Sequence, residues 1–198
     1  MSLKSGNPPE KALQVVAEAM QNLTETSHEA LGSTMSRAFN AGGVDVAAPL
    51  EVYTLTLEEV IEKDLRKAEA AGWRYTLLNA DEPVVAAEVN SSGGEDAQFS
   101  HFNTGPFVEE TARAILQAES LDEVAENDYE ARILKIPALY VMALWLHGER
   151  DDILIPMPPT NEKLEAQKTY SPKEFFGALA PAADARLSFD DAPDAEKS

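Results

Sequence analysis

Three histidines, one Ser-His pair and several paired carboxylates are the residues of this chain whose types suit chemistry. His28 lies in an N-terminal stretch. His101 and His147 lie near the ends of two strand-like runs. If those two rings met across a sheet, a carboxylate such as Glu88 or Asp151 would complete a site for a divalent metal. No HxH, HExxH or HxxxH spacing supports that arrangement. Isolated strand histidines are more often structural or exposed, so neither a metal nor a cofactor is expected. Ser100 and His101 are sequence neighbours, and neighbours on a regular strand point to opposite faces. The spacing therefore predicts no hydrogen bond between them of the kind that activates a nucleophile. There is also no G-x-S-x-G. No catalytic residue is assigned.

The glycine pairs Gly42-Gly43 and Gly93-Gly94 lack the Lys-Ser/Thr of a P-loop and the three-glycine dinucleotide fingerprint, so they read as turns. Glu58-Glu59 and Glu109-Glu110 fall in first helical turns, where the helix dipole favours carboxylates without any catalytic role. Asp151-Asp152 and Asp190-Asp191 carry little information on so acidic a chain. Trp73, Tyr75, Phe99, Tyr140 and Trp145 are the candidates for lining a partner-binding surface. Strand aromatics belong to a core more often than to a surface.

The elements that must position these residues follow a definite order. Residues 10–23 place Leu13, Val16, Ala17, Met20 and Leu23 at helical spacing. Residues 24–49 are rich in Ser, Thr, Gly and Ala, with a short helix possible over 30–39. They read as an extension, with the domain starting near Leu50. Thr56 and Glu59 form a capping box, Leu55 and Val60 its staple, and Gly72 a left-handed stop, which predicts a helix ending at 72. Runs 73–78, 84–89 and 97–102 read as an antiparallel meander, with Phe99 and His101 on one face and Phe102 on the other. Pro106 opens a second helix. Runs 130–136, 138–147 and 153–155 follow. The middle one is apolar on both faces, which suits a covered strand or a buried helix. Ser171 and Glu174 form a second capping box before a short helix over 172–179. Residues 181–198 have little to bury and read as a disordered acidic tail.

The composition bounds the function further. The chain has 198 residues, is 44% hydrophobic and carries a net charge of −19. Residues 51–180 hold 11 Lys/Arg against 25 Asp/Glu, so the acidity belongs to the folded part. Such a surface repels phosphate backbones and anionic membranes, and nucleic-acid or membrane partners are not expected. There is no cysteine, which excludes disulfides, thiolate metal sites and a Cys nucleophile. No secretory signal is evident at the N-terminus, and the longest apolar run, 136–146, is too short for a bilayer span. A cytoplasmic protein is expected.

The order α-β-β-β-α-β-β-α over roughly residues 50–180 resembles the small acidic chaperones of type III secretion. The segments that carry the likeness are 57–71, 73–102, 107–118, 130–136, 138–147 and 172–179. The resemblance implies an acidic homodimer that presents apolar surface to an extended partner segment, without catalytic residues. It rests on element order and acidity. The N-terminal extension, the strand at 153–155 and the Pro-rich segment after it depart from the pattern.

The expected fold is α+β: an antiparallel sheet of five or six strands with helices on one face. The expected role is a non-enzymatic protein-binding or adaptor module, homodimeric as the resemblance implies, using a sheet edge or an aromatic face. The alternative is a small-ligand-binding protein or hydrolase-type enzyme that uses His101 or His147 with a nearby carboxylate. A third class, an acidic mimic of a nucleic acid, needs carboxylates clustered on one face, and their even spread argues against it.

Overall fold

The structure is a computed structural model, and it describes residues 3–26, 45–79, 82–91 and 97–190. The expected helix at 30–39, the Gly42-Gly43 and Gly93-Gly94 pairs, His28 and residues 191–198 lie outside the described residues.

The protein is α+β. Its strands are β1 (Asp45–Val46), β2 (Leu50–Thr54), β3 (Glu69–Asn79), β4 (Glu82–Asn90), β5 (Gln98–Asn103), β6 (Tyr129–Ile136), β7 (Val141–Gly148) and β8 (Asp152–Pro156). Its helices are α1 (Ala12–Thr26), α2 (Leu57–Glu62), α3 (Pro106–Glu119), α4 (Asp122–Glu126) and α5 (Pro172–Asp190). The strands form one sheet in the order β5-β4-β3-β2-β6-β7-β8, with β1 also pairing β3. β2 and β6 run parallel, and the other pairs are antiparallel. The expected sheet of five or six antiparallel strands is thus corrected to eight strands and a mixed sheet. The parallel pair arises because the chain leaves the meander through α3 and α4 and returns beside β2. Such a crossover is what parallel neighbours require.

Helices cover both faces, which corrects the one-face expectation. On one face α1 buries Ala12 and Val16 against Trp73, Tyr75, Leu77 and Val89. On the same face α2 and α5 pack on Leu134, Ile136, Val141, Ala143 and Trp145. The register Glu51–Trp73, Glu51–Arg132 and Arg132–Trp145 joins these two halves into one surface. On the other face α3 buries Ala114 and Ala118 against Val52, Ile133, Leu144 and Leu146. Residues 3–26 are therefore part of the packed structure, where the domain was expected to start near Leu50. The segment before α1 also pairs with β6, since Lys4 N–H donates to the Tyr129 carbonyl and Ala131 N–H to that of Lys4.

The capping box of α2 is present: the Thr56 amide donates to Glu59 Oε2 at 2.7 Å and the Glu59 amide to Thr56 Oγ1 at 3.4 Å. The helix is shorter than its pattern predicts. Lys63 takes a left-handed conformation (φ 59°) that ends it, and Asp64 caps a single 3-10 turn over Leu65–Lys67. Gly72 is not a helix stop. It lies within β3 at φ +152°, and a β-carbon there would come within 2.0 Å of the Val89 carbonyl oxygen. Glycine serves there because two strands approach closely at an unusual backbone angle.

The run 138–147 is a strand, as the element order expects, and starts later: Pro137–Leu139 forms a 3-10 turn and β7 begins at Val141. One further expectation changes. The final helix runs on to Asp190, so residues 181–190 are helical where a tail was expected. Pro181 and the Ala/Asp composition hid this. Leu179, Ala183 and Leu187 recur at intervals of four and continue the contact with the core.

Candidate functional site

Three charged side chains meet inside the sheet. Arg74 (β3) and Glu88 (β4) are register partners, and Lys135 comes from β6. Arg74 is 1% exposed and Glu88 6%. Arg74 Nε donates to Glu88 Oε1 at 2.7 Å, a second guanidinium nitrogen lies 2.6 Å from the same oxygen, and Lys135 Nζ lies 3.1 Å from it. Arg74 also reaches Thr111 Oγ1 of α3 and Met142 Sδ of β7, each at 3.3 Å. The Thr111 hydroxyl donates in turn to the Phe107 carbonyl at 2.6 Å.

The local charge is two cations against one carboxylate, in a chain whose net charge is −19. Burial by itself would push the Glu88 carboxyl up. The Arg74 and Lys135 charges and their hydrogen bonds outweigh it and hold Glu88 below the ordinary value. Lys135 also moves down. Burial is the main cause, Arg74 adds repulsion, and the attraction of Glu88 opposes both without cancelling them. The two partners shift the same way because Glu88 faces two cations, whereas Lys135 faces one anion and one cation.

The cluster adjoins a cleft of about 600 Å³. Phe107, Pro137, Met142 and Pro159 give it apolar walls, and Lys135 and Val141 also line it. Met142 and Lys135 thus belong to both the charge cluster and the cleft. Thr160 is another lining residue, and its Oγ1 is buried with no hydrogen-bond partner among the described residues. Tyr140 borders the cleft, is 84% exposed and holds a left-handed backbone (φ 55°). A bulky side chain seldom adopts that conformation. A second cavity, of about 510 Å³, lies on the other side of Tyr140 against Pro181 and Phe189 of α5.

The residues expected at the site are dispersed. Trp73, Tyr75 and Trp145 are core side chains at 2–4% exposure, which removes them from any contact surface. Trp145 packs edge-on to Tyr53, and the Arg132 guanidinium stands 5.0 Å from both rings. Its indole N–H donates to Asp152 Oδ1 at 2.8 Å. Phe99 is half-buried, with its ring centroid 4.7 Å from that of Phe102. Of the five, Tyr140 alone is prominent at the surface.

A bulge in the β4–β5 register explains the Phe99 placement. Phe99 pairs with Val89 and Phe102 with Ala87, so these rings share a face, and His101 lies opposite Glu88 on the other. The bulge also corrects the reading of Ser100. Its Oγ lies 2.9 Å from His101 Nδ1, and Asn103 Nδ2 lies 3.0 Å from Nε2. The group stands on the exposed edge strand, where water competes for each of these bonds.

His147 pairs with Asp152 at 2.8 Å, Asp151 accepts from the Tyr129 hydroxyl at 2.9 Å, and Glu88 is held in the charge cluster. His101 and His147 are five strand steps apart, roughly 24 Å at the usual strand spacing, and on opposite faces. They share no cleft. Among the described residues no group of three or more His, Asp or Glu is placed to hold a metal ion. No described helix is long and apolar enough to cross a membrane.

Arg74, Lys135 and Thr111 were not singled out from sequence. The available signal was a charge embedded in an apolar strand: Trp73-Arg74-Tyr75, Ala87-Glu88-Val89 and Leu134-Lys135-Ile136. No protein-family model, curated protein or solved structure matches this chain.

Proposed function

We propose that the protein binds a small ligand in the Lys135 cleft: an apolar body against Phe107, Met142 and Pro159, and an oxygen-bearing end at Lys135. One observation carries this reading. A buried ionic cluster with excess positive charge opens, through Lys135, onto an apolar cleft of about 600 Å³. That size lies within the range of ligand pockets, and a few polar groups converging on apolar walls is their usual composition. The strained backbone at Tyr140 supports the reading, since strain of this kind collects at binding sites.

The test uses the neutral dye N-phenyl-1-naphthylamine, which fluoresces in apolar surroundings, and octanoate as competitor. The protein binds the dye at one saturable site, and octanoate displaces it. Lys135→Met leaves dye binding unchanged and weakens octanoate about tenfold, the loss of one charge-assisted hydrogen bond. No saturable dye binding, or octanoate indifferent to the substitution, overturns the reading.

A second reading is favoured by a different observation. β5 is the last strand of the described sheet, with Gln98, Ser100 and His101 exposed. Residues 97–108 carry no Asp, Glu, Lys or Arg, in a chain that is 26% charged. Edge strands usually bear charges that discourage pairing. A second copy adding its own β5 antiparallel to this one would meet the least repulsion here. The homodimeric, chaperone-like role implied by the sequence resemblance would use this edge.

A further inference from the structure

We propose that Lys135 is an amine nucleophile that captures the carbonyl group of an aldehyde or ketone ligand as an imine. This deepens the ligand-binding reading of the same cleft and rests on it.

The argument begins with which group in the cluster gives up a proton. A guanidinium does not do so in a protein. Glu88 accepts from both cations and gains nothing by taking a proton up while they remain. Two positive charges on one carboxylate oxygen leave an excess that burial penalises, and Lys135 is the only member able to relieve it. Its placement differs from that of the surface lysines, such as Lys63 and Lys173, which stand exposed in water. Lys135 has a side chain 21% exposed and lines an apolar cleft, so the free amine is reachable by a ligand but poorly hydrated. An amine desolvated in an apolar site next to another cation is the arrangement that activates lysine for imine formation.

The atoms balance without a further reactant. The neutral Nζ attacks the carbonyl carbon and a C–N bond forms. Both amine hydrogens leave with the carbonyl oxygen as water, and a C=N bond remains. The ammonium proton passes to water at the mouth of the cleft before attack and water returns one to the departing oxygen, while Glu88, 3.1 Å from Nζ, orients the amine by accepting its hydrogen bond. Arg74 holds Glu88 throughout from the buried side. The apolar walls hold the carbonyl compound's body and limit the water that would reverse the step.

The experiment incubates the full chain with octanal and sodium cyanoborohydride, which reduces an imine to a stable secondary amine, and maps the adducts by peptide mass spectrometry. The expected result is one dominant adduct at Lys135, formed several-fold faster than at Lys63 or Lys173 and suppressed by octanoate. Lys135→Arg keeps the positive charge but has no amine, and it loses the adduct. Modification spread over the exposed lysines with Lys135 not favoured overturns the inference. The dye and octanoate titrations stand apart from this outcome: if they succeed while Lys135 stays unmodified, the cleft binds ligands without covalent capture. If they fail, the underlying reading falls with it.

Discussion

Glu88 is the residue on which the cluster depends. Removing it leaves Arg74 and Lys135 facing each other in a buried site, and breaking a buried ion pair in this way costs about 3–5 kcal/mol. Urea unfolding of Glu88→Ala at neutral pH checks this. Loss of less than about 1 kcal/mol would show that water or rearrangement satisfies the two cations. The same residue sets an acid dependence. Its carboxyl is held below the ordinary 4.5, so its contribution to stability is fully present above that value. It is lost as pH falls through the lower folded value, because the unfolded chain takes up the proton first. The stability difference between the wild type and Glu88→Gln therefore shrinks on acidification below about 4.5, and a difference that stays constant contradicts the assignment. Gly72 is a residue of another kind, and its role is backbone approach. Gly72→Ala forces a β-carbon onto the Val89 carbonyl at a positive φ, and its cost in the same assay exceeds about 2 kcal/mol.

At the scale of elements, local chemistry was legible and extent was not. The Thr56 and Ser171 capping boxes, Pro106 at the start of α3, and β6 are where the sequence places them. Thr56→Ala removes one hydrogen bond of its box, and a loss of about 1 kcal/mol in thermal or urea unfolding is expected. The 57–72 helix failed because an apolar stripe of Val60, Ile61, Leu65 and Ala68 also suits a short helix, a 3-10 turn and the start of a strand. Tertiary pairing of β3 with β2 and β4 decided between them. The face of His101 failed because a one-residue bulge inverts the alternation, and a bulge has no signature in this strand beyond its polar residues. The length of α5 was obscured by Pro181. Phe175 and Phe176 of this helix are fully buried, so Phe176→Ala costs about 3–5 kcal/mol, well above the cap substitution.

At the scale of the whole molecule, the sequence supported an acidic α+β domain but not the sheet order. Inserting β6 parallel to β2 joins elements some eighty residues apart, and no local pattern encodes that neighbour. The candidate site is a product of the same long-range pairing. Arg74, Glu88 and Lys135 are unremarkable separately and become a cluster only once β3, β4 and β6 share a sheet. Aromatic residues were the obvious surface candidates, yet Trp73, Tyr75 and Trp145 were drawn into the two halves of one core. The edge at β5 makes its own prediction at this scale. If copies pair through it, His101→Glu sets two carboxylates near each other across the twofold axis and converts dimer to monomer in sedimentation equilibrium. A wild-type chain that is monomeric at high micromolar concentration rules this edge out as a self-association surface.

The central claim concerns where a ligand sits. The most direct measurement is a ¹H–¹⁵N correlation spectrum of the labelled chain during titration with octanoate. The account predicts saturable shifts at Phe107, Lys135, Val141, Met142 and Thr160, with α1 and β5 unmoved. Shifts confined to other elements, or none at saturating octanoate, would contradict it.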